Sequence, residues 1–371
     1  MLINIRIRPL CDALSASLAS KRYSDGMSIP HTVYKAHATG NDFVIYADPD
    51  GEFEPTADEV RFLCDRHFGI GGDGLLRLTH PEHVRDVSAD TAADLHAQGA
   101  EWFMDYRNAD GSLAEMCGNG TRATALFAQR LGYAQGVGGE PFRLGTRAGV
   151  KTLVSLGDMA PCGHDVFRVD MGPWKRGETD AFNVTIPGTD GSARGTFVDM
   201  GNPHVVSVLE DGESTLPAVE ALDLATKPVV APVLESDQNA EFVRIDSQDA
   251  GTDAGKATMR VNERGVGETL SCGTGLCATG ITLLAKTGIH HWTITVRGGT
   301  LQVDVRDDRV FLTGSATLVG RIDLLYLAWC APLILATSGR NHRAHSARTL
   351  EIGAARVPTH RAILPNAAQL T

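Results

Sequence analysis

Glu115–Gly132 reads EMCGNGTRATALFAQRLG, and Leu270–Gly288 reads LSCGTGLCATGITLLAKTG. Each sets a cysteine, Cys117 or Cys272, before a Gly-x-Gly turn, and each turn opens a run rich in Ala, Leu, Thr, Phe or Ile. Apolar side chains fall on nearly every face at helical spacing. The runs Thr121–Leu131 and Leu276–Ala285 therefore predict helices buried on all sides. A third helix is expected over Ala57–His67.

The match between the two segments continues outward. Ala123-Thr124 in the first answers Ala278-Thr279 in the second. Nine residues before each cysteine stand Asn108, in YRNADG, and Glu263, in VNERGVG, each closing a strand-like run. Farther upstream, TGNDFVIYAD at Thr39–Asp48 resembles MGNPHVVSVLE at Met200–Glu210, which aligns Asn41 with Asn202. Three landmarks in one order, at similar spacing, imply a duplicated half.

Short runs such as HTVYKAHA, WFMDYRN, FRVDMG, AEFVRID, ATMRVNE, WTITVRGG and LQVDVRD read as strands. Many strands and two fully buried helices predict a mixed α/β fold of the α+β kind, not an alternating βαβ pattern. The expected architecture is two pseudo-symmetric domains, each a β-sheet wrapped around a central buried helix, with the active site in the cleft between them. Residues 27–149 are expected to form the first half, with final strands at about 308–325 packing on it, and residues 150–307 the second. The polar stretch 79–100 has no assigned role.

The ends differ from the middle. Residues 1–26 carry Arg6, Arg8, Lys21 and Arg22 and precede Met27. They read as a disordered upstream extension, with an organelle transit peptide as the alternative. Residues 326–371 read as a basic, disordered tail, with Arg340, Arg343, Arg348, Arg356 and Arg361 against Glu351. LLYLAWCAPLILA, at Leu324–Ala336, is too short to span a bilayer and holds a proline, so no membrane association is expected.

A formal net charge of −11 disfavours a nucleic-acid partner, since binding phosphates requires a basic face. Seven cysteines, an odd number without dense regular spacing, argue against a secreted disulfide scaffold and for a cytoplasmic location. Cysteine and histidine spacing fits no metal site. No lysine stands in a setting suited to pyridoxal phosphate, so no cofactor is expected.

A helix N-terminus presents unpaired N–H groups and a partial positive charge. Either feature favours a thiolate, and the pKa of Cys117 and Cys272 is expected to fall from about 8.5 toward neutrality. One such cysteine suggests a nucleophile. Two from related halves suggest proton transfer, because inverting a tetrahedral carbon needs a base on one face and an acid on the other. The remaining cysteines, including Cys277 inside the second helix, read as small buried apolar groups.

The motifs ATGNDFVIYAD, RHFGIGGDGLL, DYRNADGSLAEMCGNGTR, GNPHVV, NAEFVRI and NERGVGETLSCGTG resemble the diaminopimelate epimerase family over about His31 to Ile322. The resemblance implies a homodimeric, cofactor-independent amino-acid isomerase of lysine and peptidoglycan-precursor synthesis. It would interconvert LL- and meso-2,6-diaminopimelate by a two-cysteine acid–base mechanism. By matching motif, Cys117 and Cys272 would be the catalytic thiols. Asn41, Asn108, Asn202, Asn239, Glu263 and Arg264 would bind substrate. So would Gly118 with Asn119, and Gly273 with Thr274, through backbone N–H groups. His204 is a candidate accessory group that tunes a thiol or simply packs. One departure stands out: several members carry a glutamine where this chain has Gly74. Proline racemases, the nearest rivals, have His where this chain has Asn119 and lack the NERGVGET run.

Overall fold

A computed structural model describes residues 28–325; the extension over 1–26 and the tail over 326–371 lie outside the described residues. Four α-helices are present among them: α1 (Ala57–Cys64), α2 (Ala89–Ala97), α3 (Gly118–Leu131) and α4 (Gly273–Thr287). The two cysteine segments form α3 and α4, each a turn longer at the N-terminus than their apolar runs predict, because the Gly-x-Gly residues are already helical. In α3 every residue from Gly118 to Ala128 is buried, and in α4 Gly273 and Gly275 to Leu283 are. Both end on a left-handed glycine, Gly132 at φ 80° and Gly288 at φ 76°, a conformation that costs glycine little.

Helix α1 starts on a capping box between Thr56 and Glu59 and stops at Cys64, short of the expected His67. The reason is local: the Asp65 carboxylate accepts the N–H groups of His67 and Phe68, both at 2.7 Å, and turns the chain. Helix α2 lies inside the stretch 79–100, where no element was expected. Its Ser88 cap accepts from Thr91 N–H, and Leu95 packs with Val84, Ala100 and Phe103 in a small satellite core.

Nine strands enclose α3. Thr32–Ala38 pairs with Asn41–Asp48, and that strand runs parallel to Gly74–Thr79. Trp102–Asn108, Phe142–Thr146, Gly149–Met159 and Gly163–Gly172 follow in hydrogen-bonded order. Val310–Ser315 then pairs with Gly163–Gly172, and Thr317–Asp323 returns to Thr32–Ala38. Gly163–Gly172 and all but the first residue of Gly149–Met159 were expected in the second half, from residue 150 on, yet both strands sit in the sheet around α3.

Around α4 the same design recurs. Ala193–Asp199 pairs with Pro203–Leu209, which runs parallel to Asn239–Asp249. Ala254–Glu263, His291–Val296 and Gly299–Val305 continue the order, and Gly299–Val305 pairs with Val310–Ser315. Val310–Ser315 therefore belongs to both sheets. One apolar core runs through both halves, joining Leu126 and Phe127 of α3 to Leu276, Cys277 and Ile281 of α4. Arg77, fully buried on Gly74–Thr79, is held by Asp48 at 2.7 Å and Asp105 at 3.6 Å, as a buried charge requires.

Candidate active site

The N-termini of α3 and α4 meet. A Cβ placed on Gly273 would stand 3.3 Å from Gly118 Cα, a tight contact that the bare glycines spare the two helix mouths. Each mouth is capped by its cysteine. Cys117 Sγ accepts the N–H of Gly120 at 3.3 Å, and Cys272 Sγ accepts that of Gly275 at 3.4 Å. Sequence places a thiol where a Ser or Asp cap usually sits, and the backbone accepts it in the same geometry.

The hydrogen bonds beside the thiols repeat as the sequence does. Asn41 Oδ1 accepts from Cys117 Sγ at 3.5 Å and from Asn119 Nδ2 at 3.2 Å. Asn202 Nδ2 donates to Thr274 Oγ1 at 3.4 Å, and Thr274 Oγ1 lies 3.6 Å from Cys272 Sγ. Asn119 and Thr274 occupy matching positions, two after each cysteine. Asn119 also ties the halves together, since its Nδ2 donates to the carbonyl of Ser271, the residue before Cys272, at 3.0 Å. Its Oδ1 accepts from Arg122 at 2.8 Å, which fixes the orientation of the amide. The turn at Thr39-Gly40 packs on the same seam: a Cβ on Gly298 would stand 1.8 Å from the Thr39 carbonyl oxygen.

Glu263 ends the strand Ala254–Glu263 and accepts from Thr269 Oγ1. Burial raises its pKa, opposed by hydrogen bonds from Thr269 and Cys272. Arg264 follows on the turn with its backbone N–H bound by Asn239 Oδ1 at 2.9 Å. Its guanidinium is exposed and reaches the Asp237 carbonyl at 3.3 Å. Asn239 is buried and fully engaged, donating also to the Pro203 carbonyl at 3.2 Å. Asn108 ends its strand and donates to Ser112 Oγ at 3.0 Å.

His204 is fully buried between Glu241, at 2.7 Å from Nδ1, and Asn202 Oδ1, at 3.1 Å from Nε2. Its hydrogen bonds reach no thiol; it orients Asn202. Glu241 lies under the mouth of α4, where a Cβ on Gly275 would stand 2.5 Å from its Oε1. Sequence reading did not single out Glu241, Asp73, Ser271 or Arg122. Arg122 carried one signal: it is the repeat position where the second segment has Cys277. Asp73 receives Asn41 Nδ2 at 2.7 Å. Beside it, Gly74 has no room for a side chain, because a Cβ there would meet the Arg107 carbonyl oxygen at 2.5 Å and the Tyr106 ring at 2.6 Å.

The thiols depart from expectation. Burial pushes Cys117 up to about 11, and the Gly120 N–H only partly opposes it. Cys272 is pushed well above the usual thiol range, first by burial and then by Glu263 and Glu241. Desolvation of the anion outweighs the helix ends, so both groups rest as thiols.

The sequence pattern of the diaminopimelate epimerase family matches residues 33–176 and 196–319. The diaminopimelate epimerase of Thermobifida fusca is 38% identical over 295 residues, covering 78% of this chain and 96% of its own. That of Corynebacterium glutamicum is 40% identical over 294 residues, covering 77% and 95%. Among solved structures, a Bacillus anthracis phenazine biosynthesis protein of the PhzF family superposes with a TM-score of 0.53 at 16% identity, covering 80% of this chain and 99% of its own. A probable proline racemase from Agrobacterium radiobacter gives 0.52 at 14% identity, covering 81% and 94%. These two likenesses concern the fold alone.

Proposed function

The chain belongs to the diaminopimelate epimerase family, amino-acid isomerases of lysine synthesis, and from that premise we propose that Cys117 and Cys272 perform its proton transfers. The observation that carries this reading is the meeting of two cysteine-capped helix N-termini at Gly118 and Gly273. One thiolate removes the α-proton of diaminopimelate from one face, and the opposite thiol delivers a proton to the other. The roles exchange when the reaction runs from meso to LL.

Each remaining group has a chemical task in this reading. The helix mouths at Gly118-Asn119 and Gly273-Thr274 direct N–H groups at the reacting carboxylate and steady the negative charge that grows on it. Glu263 pairs with the substrate ammonium. Its own charge raises both thiols, so an ammonium beside it removes that influence and eases formation of the thiolate when substrate is bound. The exposed Arg264 fork takes the distal carboxylate, held in place by Asn239. Asn41, Asn108 and Asn202 bind the polar groups of the substrate, with His204 and Glu241 holding Asn202.

Proton NMR of LL-diaminopimelate with the reduced protein in D₂O tests the assignment. Deuterium at an α-carbon together with meso product is expected without added cofactor. Cys117→Ala and Cys272→Ala each lose turnover by at least about 10²-fold, the scale of acid–base catalysis. Turnover undiminished in either variant sinks the two-thiol mechanism. We further place the protein in the cytoplasm as a homodimer. The odd, undense cysteines support the first and the family resemblance the second; sedimentation equilibrium checks the dimer.

A further inference from the structure

We propose that the Tyr106 hydroxyl hydrogen-bonds the amino-acid head held beside Cys117, so that Tyr106 is a substrate-contacting residue of the first half. The inference rests on the epimerase reading above and adds a residue to its site. Tyr106 lies on the strand Trp102–Asn108, two residues after Met104 and two before Asn108. Side chains at that spacing share one face of a strand. Met104 Sδ lies 3.5 Å from where a Cβ on Gly120 would stand, in the first turn of α3. The face therefore runs beneath the start of α3 and out past its mouth, with Tyr106 between the core and Asn108.

The ring is held on two sides. It meets Phe43 edge-on, with centroids 6.0 Å apart, and it lies against the bare α-carbon of Gly74. A Cβ on Gly74 would stand 2.6 Å from the ring and 3.4 Å from the hydroxyl. The missing side chain at 74 is thus the space in which Tyr106 is seated.

Its hydroxyl differs from that of Tyr46, the other buried tyrosine among the described residues. A buried phenol ordinarily finds a hydrogen-bond partner, as Tyr46 does at 2.6 Å on the Phe53 carbonyl. Tyr106 is only 9% exposed, but its hydroxyl is not sealed among protein groups: it stands outside the set of fully buried polar atoms and no protein hydrogen bond engages it among the described residues. Burial first, and then the acidic groups Cys117, Glu263 and Asp73, keep the phenol protonated. A neutral donor seated on Gly74, next to the Asp73 that holds Asn41 at the Cys117 thiol, is suited to a carboxylate oxygen of the substrate.

Tyr106→Phe removes the hydroxyl and keeps the ring on Gly74. The expected result is a fall of about tenfold in kcat/KM for both LL- and meso-diaminopimelate, the worth of one hydrogen bond to a charged group, with an unchanged thermal midpoint. Tyr106→Leu, which also removes the ring, is expected to lower the midpoint as well, so the pair separates contact from packing. A Phe variant with wild-type kcat and KM overturns the proposal. So does one whose activity falls only as its thermal midpoint falls. Absence of epimerisation in the unaltered protein sinks the epimerase reading itself, an outcome distinct from either.

Discussion

Asn119 and the two thiols show where side-chain type could be read from sequence and where surroundings decide. The repeat identified the cysteines because the Gly-x-Gly turn that follows each of them leaves few other uses for a thiol. The family resemblance assigned Asn119 only as a source of backbone N–H, whereas its side chain links Asn41, Ser271 and Arg122 across the halves. Those partners lie up to 152 residues away, beyond any local pattern. The expected drop in thiol pKa failed for a similar reason: burial belongs to the assembled fold, not to the helix end alone. A testable consequence follows for stability. The Cys117 thiol has its folded pKa raised from 9.0 to about 11, so the folded state binds more protons than the unfolded state between those values. Its contribution is intact below pH of about 9 and is lost as pH climbs through about 11. Cys64 and Cys277, pushed up to about 12, act in the same direction. Differential scanning calorimetry across this window should show a falling thermal midpoint, with a shallower fall in Cys117→Ala. A midpoint that rises with pH there contradicts the assignment.

At the scale of elements, the buried helices were legible because a run apolar on every face has few alternatives, but not all of their ends were: both begin a turn earlier, in the Gly-x-Gly residues, and α4 runs on to Thr287. Helix α2 was not legible, because only Ala92 and Leu95 are buried and the rest of it is exposed. Such a helix depends on the satellite core beneath it rather than on its own pattern. Packing likewise overrides propensity within α4. Alanine exceeds glycine by about 1 kcal/mol in a helix interior, so Gly280→Ala should stabilise an isolated α4. In the protein its Cβ would stand 2.6 Å from Val303 Cγ1 and 3.2 Å from Val305 Cγ2, both on the enclosing sheet. The expected net effect is destabilisation by about 1–3 kcal/mol, read from urea unfolding. A variant as stable as the parent shows that the sheet yields there at little cost.

For the molecule as a whole, duplication was legible but the seam was not. Sequence comparison divides the chain into halves, and hydrogen bonding then joins them through Val310–Ser315, a strand of both sheets. With a shared strand and one apolar core, the halves should unfold together. Trp102 lies in the first sheet and Trp292 is buried in the second, which supplies a separate fluorescent reporter for each once the other tryptophans are replaced. Coincident urea midpoints are expected; a gap between them shows two independent units. The same strand sets a timetable for the newborn chain. Thr32–Ala38 leaves the ribosome early, yet its partner Thr317–Asp323 and the shared Val310–Ser315 come after all of the second half's strands have been made. The first sheet must wait, with one edge open, through most of translation, and the cleft it lines takes shape only near the end of synthesis.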